Sequence, residues 1–353
     1  MVAIERTTRY RGASMRAWLL RDTSGPGAYE LGEVPTPEPR DGEVRVSLRA
    51  SALNHLDLWV ARGMPAPPSF PHVGGADGAG VIDAIGQGVM DAEVGDEVVI
   101  DPSTSCGRCP SCARGEVPFC PDFAIVGEHR WGTHAGAIVL PEVNVARKPS
   151  QLSWTEAAAV GLVTSSALRM LRRGRVDEHT TVLVTGIGGG TSTAAFLLAQ
   201  AMGATMFATS RDASKRAWAT DHGAQAVFDS DAAFDEQART ATDGRGVDVV
   251  LDNVGSTVFE RAVRALARGG RYVTNGSTTG RTAELHLPTL FWRQLEVIGS
   301  TMNDHREFAD AMAFVAGGVP HVPVDREFAF EAFPGALARL DAGDQLGKIV
   351  LAR

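Results

Sequence analysis

VLVTGIGGGTSTAAFLLAQAMGATMFATS, residues 182–210, decides the fold of this chain. VLVTG (182–186) is a short apolar run that stops at a glycine. GIGGG (186–190) follows, then TSTAAFLLAQAMG (191–203) with helical spacing, then a second short apolar run, TMFATS (205–210). Strand, glycine turn, helix, strand opens a nucleotide-binding βαβ unit. The glycines let the backbone approach a pyrophosphate, and the helix N-terminus offers amide donors to it. Gly188, Gly189, Gly190 and Thr191 are the candidate phosphate contacts. With Gly189 as the glycine of close approach, Ser192 stands where the last glycine of G-x-G-x-x-G would fall. A plain tight turn is the other reading of these glycines.

The downstream sequence favours the nucleotide reading. VDVVLDNVG (247–255), GRYVTNGS (270–277) and LEVIGST (295–301) are apolar runs that end in Gly, Asn, Ser or Thr, with helical segments between them. That alternation predicts an α/β domain with a doubly wound parallel sheet. Ligands bind at the carboxyl ends of such strands, here near Asn253, Gly255, Asn275, Gly276 and Ser277. The end of the second strand reads cofactor type. An acid there bonds a ribose 2'-hydroxyl, but this chain has ATSRDASKR (208–216). Ser210, Arg211 and Lys215 supply a hydroxyl and two cations, which suits a 2'-phosphate and so NADP(H) rather than NAD(H). Asp212 is read as the N-cap of the next helix; the other reading is the ribose acid shifted along the chain.

The first 150 residues pattern differently. EVRVSLRASAL (43–53) alternates like a strand, and GVIDAIGQGV (80–89) and GDEVVIDP (95–102) read as short strands between glycine turns. A small β-rich domain is expected, joined to the nucleotide domain by the helical stretch SWTEAAAVGLVTSSALRMLRR (153–173). All four cysteines lie in CGRCPSCARGEVPFC (106–120). The spacing of Cys106, Cys109, Cys112 and Cys120, with Gly107, Pro110 and Gly115 to turn the loop, suits one tetrahedral Zn2+; disulfides are the lesser alternative. Four thiolates close the coordination sphere, so the ion is expected to be structural.

The net charge of -8 and the lack of a basic tract argue against nucleic-acid binding. No apolar run reaches the ~18 residues of a membrane span. The first residues, MVAIERTTRYRGASM, hold no apolar signal core and read as a leader before Met15. A cytoplasmic protein is expected. No Ser-His-Asp or Cys-His constellation suggests a hydrolase.

The cysteine lobe, GADGAGVI (75–82), AAAVGLVTSSAL (157–168), VLVTGIGGG (182–190), GSTMNDHREF (299–308) and LGKIVL (346–351) together resemble the medium-chain dehydrogenase/reductase superfamily, zinc-type alcohol dehydrogenases and quinone oxidoreductases. The resemblance runs from Met15 to the C-terminus. It implies a GroES-like catalytic domain at 15–150, a Rossmann domain at 151–305, and a segment at 306–353 that completes the Rossmann edge and returns to the catalytic domain. The active site would lie in the cleft between the domains. Relatives pair through the Rossmann sheet edge, which implies a homodimer with its seam at 295–318.

The resemblance also aligns Asn54, Ala76, Asp77 and Leu162 with the positions that surround the catalytic zinc of alcohol dehydrogenases. Ala and Leu hold no metal, so that zinc is not expected here. Without a Lewis acid, NADPH-dependent reduction of an already polarised C=C or quinone is the leading expectation. An alcohol dehydrogenase using a protein acid or base, and an NADPH-binding protein without turnover, are the alternatives. The resemblance implies catalytic-cleft roles for Asn54 and Asp57, with Trp59 as a pocket wall, and His55, between the first two, is placed to relay a proton. The same resemblance implies cofactor roles for Ser166 (or Thr164) and Lys348. Each of these residues also has an ordinary packing or hydrogen-bonding reading. GMPAPPSF (63–70) and LPTLFWRQ (287–294) are candidate walls of an apolar substrate pocket. The substrate itself, a small quinone, an enal or an acyl thioester, is not legible.

Overall fold

A computed structural model describes residues 13–353. The leader read at the N-terminus therefore lies almost wholly outside the described residues. Strand Glu43–Ala52 is the spine of the N-terminal domain. It alternates Val44, Val46 and Leu48 into a buried face, the two-residue period of a pleated strand. The seven-stranded sheet around it runs Val145–Arg147, Glu97–Ile100, Asp77–Ile85, Glu43–Ala52, Lys348–Ala352, Val324–Ala329, with Ala137–Pro141 also paired to the spine. Gly80 lies so close to the spine that a Cβ would come 2.2 Å from the Ser47 carbonyl oxygen, which accounts for one glycine of GADGAG. A separate three-stranded sheet holds Tyr29–Pro35, Ser14–Leu20 and His72–Val73.

The Rossmann half is a six-stranded parallel sheet, in the order Ala226–Asp229, Thr205–Ser210, Thr181–Val184, Val247–Asp252, Leu266–Thr274, Glu296–Gly299. Its central strands are buried on both faces, as a doubly wound sheet requires. Val182, Val184, Val249, Leu251 and Val273 face one core with helices Trp154–Gly174 and Gly190–Ala201. Leu183, Phe207, Val250 and Tyr272 face the other, with helices Phe234–Thr240 and Ser256–Ala265.

Helix Trp154–Gly174 joins the halves. Ser153 and Glu156 form its capping box, and Arg175 ends it in the left-handed region at φ 53°. Almost all of it is buried, against strand Asp77–Ile85 on one side and helices Gly190–Ala201 and His305–Ala316 on the other. Of the segment 306–353, that last helix packs on the connecting helix, while strands Val324–Ala329 and Lys348–Ala352 join the catalytic sheet rather than the Rossmann one. The final strand pairs antiparallel with the spine, Val350 opposite Ala52, which carries Lys348 to the residues just after it. The edge of the Rossmann sheet is Glu296–Gly299.

Candidate active site

The spine strand ends at Ala52, and Asn54 caps the short helix His55–Ala61. These residues open one side of a cleft of about 930 Å3 whose walls come from both domains. At its floor is a hydrogen-bonded cluster. Asp77 Oδ1 accepts from the Leu162 amide at 2.7 Å, and Oδ2 accepts from Asn54 Nδ2 at 2.9 Å and Lys348 Nζ at 2.8 Å. Lys348 Nζ also donates to Asn54 Oδ1 at 2.6 Å and to the Leu53 carbonyl at 2.8 Å. All three ammonium protons are used. The ion pair is dry, with the two side chains 3% and 0% exposed. The positions aligned with the zinc-ligand set therefore do converge, but what they surround is an ammonium group. Ala76 and Leu162 bring no side-chain donor atom. Among the described residues, the grouping of His, Cys, Asp or Glu able to hold a metal is the cysteine cluster.

Asn54 and His55 both line the cleft. Asn54 keeps one amide proton after serving Asp77, so it can donate to a substrate carbonyl. Burial, and then the positive charge of Lys348, push the His55 imidazole below its ordinary value, so it is neutral at pH 7. Trp59, one turn further along the helix, lines the same wall, its ring centroid 6.3 Å from that of His55.

Asp57, a catalytic-cleft candidate from the sequence, lies behind that wall. Its Oδ2 accepts from the Asn54 amide at 2.8 Å, closing the capping box, and Oδ1 accepts from the Gly75 amide at 3.0 Å and meets His134 Nε2 at 3.2 Å. Burial alone would raise its pKa, but His134 and the Asn54 amide hold the carboxyl below the ordinary value. It is 2% exposed, and its hydrogen bonds tie the Asn54 and Gly75 backbone and His134 together.

Apart from Lys348, already placed at the floor, the cofactor candidates fall on the other wall. Ser166, Gly189, Gly190, Thr191, Ser210, Arg211, Lys215, Asn253, Gly276 and Lys348 line the cleft, and Gly188 and Ser277 do not. Gly189 caps helix Gly190–Ala201, whose amino end faces the cleft. Gly188, at φ 103°, is roofed by Lys215: a Cβ there would come 2.4 Å from Lys215 Cδ. Ser277 packs against Gly255, whose Cβ would meet its Cα at 2.9 Å. Ser192 turns its hydroxyl back to the Thr185 carbonyl at 2.8 Å, tying helix to strand where the fingerprint has a glycine. Asp212 caps helix Ala213–Asp221, accepting from the Ser214 and Lys215 amides at 2.7 and 3.4 Å. Lys215 Nζ donates to the Gly343 carbonyl at 2.8 Å, and Arg211 is exposed.

Among the described residues, three buried polar atoms on these walls have no partner: Ser166 Oγ, Asn275 Oδ1 and Gln345 Oε1. Each orphan costs about 1–3 kcal/mol unless a ligand or water serves it. They fit a cleft that holds a polar cofactor head. Thr164 Oγ1 is also unpartnered but is off the cleft, so Ser166 is the member of that pair that reaches it. Gln345 and Glu128 were missed in the sequence because they sit in loops with no pattern around them. Of the proposed apolar walls, Pro65 lines the cleft; residues 287–294 do not, and Leu287, Phe291 and Trp292 are 62%, 62% and 71% exposed beside the Rossmann edge.

The four cysteines form a cage away from these walls. Sγ atoms of Cys106 and Cys120 are 3.5 Å apart, Cys106 and Cys112 3.9 Å, and Cys109 and Cys112 3.5 Å. A tetrahedral Zn2+ with bonds of about 2.3 Å sets S···S near 3.8 Å, whereas a disulfide needs about 2 Å. The donor set and spacing fit a structural zinc, and all four thiols are free of disulfides.

Comparison with known proteins agrees with this architecture. Residues 40–150 match the alcohol dehydrogenase GroES-like domain, and residues 190–317 match the zinc-binding dehydrogenase family. A solved NAD-dependent alcohol dehydrogenase is 40% identical and superposes with a TM-score of 0.93, over 96% of this chain and 100% of that one. Acryloyl-coenzyme A reductase of Metallosphaera sedula is 28% identical over 92% of this chain and 96% of its own. Crotonyl-CoA reductase of Streptomyces avermitilis is 28% identical over 88% of this chain and 79% of its own. No helix among the described residues is long and apolar enough to cross a membrane. The chain, with its GroES-like sheet, Rossmann domain and cysteine cage, belongs to the zinc-type medium-chain dehydrogenase/reductase superfamily.

Proposed function

We propose that this oxidoreductase is an NADPH-dependent reductase of an activated C=C, an enone or enoyl compound, or of a quinone, and that it works without a catalytic zinc. The observation that carries the reading is the Lys348–Asp77–Asn54 cluster, which fills the expected metal position with a saturated ammonium group. An alcohol becomes an alkoxide beside a metal with an open coordination position. Lys348 offers no open position, because its three protons are already donated. A conjugated carbonyl needs less: a donor to its oxygen as charge develops there. Asn54 provides that donor. The two acyl-CoA reductases among the relatives support the same chemistry.

The bound cofactor would supply the hydride. Ser166, Asn275 and Gln345 would bind its nicotinamide end with their unpartnered atoms. Gly189, Gly190 and Thr191 would take the pyrophosphate at the helix end. Ser210, Arg211 and Lys215 would take a 2'-phosphate. His55 and Trp59 would wall the substrate side. A homodimer formed through strand Glu296–Gly299 is also proposed, because that edge is open and the apolar side chains of Phe291 and Trp292 lie exposed near it.

A second reading is an alcohol dehydrogenase using a protein acid or base; the 40% identical structure, an NAD-dependent alcohol dehydrogenase, supports the alcohol part of it. NADPH absorbance against quinones and α,β-unsaturated carbonyls, run beside NADP+ against alcohols, separates the two. NADPH oxidation by the first group is expected. Turnover confined to alcohols would overturn the reductase reading, and silence throughout would leave a binding protein.

A further inference from the structure

The reductase reading leaves one step without a residue. Saturating a C=C takes a hydride at the β carbon and a proton at the α carbon, and none of the residues placed so far is suited to give that proton. Asp57 is buried behind the wall. His55 is neutral and faces a fixed cation, so it is a poor acid. The Asn54 amide can donate a hydrogen bond but is no acid, and the Lys348 ammonium is committed to Leu53, Asn54 and Asp77.

Glu128 is on the substrate side of the same cleft, with Leu56, Trp59, Pro65 and Ile125 among its lining neighbours. It lies in the loop between strands Ala124–Ile125 and Ala137–Pro141, and its side chain is 11% exposed. A carboxylate so enclosed normally finds a cation or several donors. Among the described residues its ion-pair partner within 4 Å is His129, whose Nε2 lies 3.5 Å from Glu128 Oε1. His129 Nδ1 accepts from the Ile125 amide at 3.1 Å, so a neutral His129 carries its proton on Nε2, facing Glu128. The His129 side chain is 45% exposed, so its ring joins Glu128 to solvent. Burial pushes the Glu128 carboxyl above its ordinary value, the direction a proton donor needs, while the neighbouring His129 acts in the opposite sense.

We infer that Glu128 is the proton donor to the α carbon, recharged from solvent through His129. This rests on the reductase reading. The β carbon gains the hydride of the reduced nicotinamide cofactor. The π pair of the alkene moves to the α carbon and the carbonyl oxygen as an enolate, whose oxygen Asn54 steadies. The Glu128 O–H bond then breaks, its electrons stay on the carboxylate, and the proton forms the α C–H bond. The carboxylate regains a proton from water by way of the imidazole. No zinc is needed at any point, and each atom transferred comes from the cofactor or from solvent.

The test compares wild type, Glu128→Gln and His55→Gln on an α-methyl enal with NADPH in D2O. Wild type is expected to place deuterium at the α carbon with one handedness. E128Q, isosteric but without a transferable proton, is expected to lose about 10²–10⁴-fold in kcat with little change in KM, and its residual product to have mixed α configuration. NADPH binding to E128Q, followed by fluorescence, should stay at the wild-type level, which shows that the variant is folded. In the cofactor-free protein, infrared difference spectroscopy should show a protonated-carboxyl band in wild type that E128Q lacks. E128Q product that keeps its rate and handedness would overturn the assignment while leaving the reductase reading intact. So would loss of both in H55Q alone, or absence of the infrared band. Failure of wild type to reduce the enal or any other activated alkene would overturn the reductase reading and the donor with it.

Discussion

Replacing Lys348 with methionine removes the cation from the floor of the cleft and leaves its space nearly filled. The Asp77 carboxylate then loses a charge 2.8 Å away in a site with no solvent access. With an effective dielectric constant near 20, the direct attraction at that separation is about 6 kcal/mol. The net loss is smaller, because the lysine no longer has to be desolvated; breaking a buried pair from one side costs about 3–5 kcal/mol. Asp77 keeps the Leu162 amide and Asn54 Nδ2, and the Leu53 carbonyl and Asn54 Oδ1 lose a donor. At about 2–4 °C per kcal/mol for domains of this size, the thermal midpoint of K348M should fall by roughly 6–20 °C. Asp77→Asn combined with Lys348→Met removes both charges and keeps an acceptor for Leu162. The double variant should regain at least half of the loss, which gives a coupling energy of a few kcal/mol in the double-mutant cycle. Differential scanning calorimetry on wild type, both single variants and the double variant gives these values. A K348M midpoint within 2 °C of wild type, or a double variant no more stable than K348M, would show that the charges are not coupled and that the ammonium is not what the aligned positions hold.

Metal analysis should find about one zinc per chain, and Cys112→Ser should lower that occupancy and expose 106–120 to proteolysis; full zinc content in the variant would defeat the four-cysteine site. Arg211→Ala should weaken NADPH binding by about 10–100-fold, the value of a charge-assisted contact, and leave NADH binding unchanged; equal losses for both cofactors, measured by fluorescence titration, would contradict the 2'-phosphate reading. Val297, on the open edge strand and 43% exposed, should be intolerant of arginine if the dimer forms there. A Val297→Arg chain is expected to run as a monomer in size-exclusion chromatography with light scattering, and a dimer of unchanged stability would place the contact elsewhere.

The parts that could be read in the sequence are those with a local cause. VLVTGIGGG and its following helix specify strand, turn and helix within a few residues, and the four cysteines report their own geometry through spacing alone. The aligned zinc positions were legible as missing ligands, because alanine and leucine cannot bind metal wherever they fold. What replaces the metal was not legible. Lys348 is 294 residues from Asn54 in the chain and reaches it only because the last strand pairs with the spine. Asp57 was legible only as a member of the cleft: its partners, the backbone of its own helix start and His134 behind it, come together on folding. Glu128 and Gln345 lie in loops, where neither periodicity nor motif marks a residue before the cleft assembles around it.

The exchange of zinc for lysine has consequences beyond charge. A zinc ion presents two positive charges and one exchangeable position, and a substrate oxygen enters by displacing water from it. The Lys348 ammonium presents one charge and three protons that are already directed at Leu53, Asn54 and Asp77. It therefore acts through its neighbour rather than by contact. Its hydrogen bond to Asn54 Oδ1 draws electron density from the amide, and the amide proton left over on Nδ2 becomes the better donor. That is sufficient to steady an enolate oxygen and weak for holding an alkoxide. On the reductase reading proposed above, the cleft would favour reactions in which charge arrives at a carbonyl already in place, and the asparagine side chain, oriented from both ends by Lys348 and Asp77, would be the group through which the buried pair reaches the substrate.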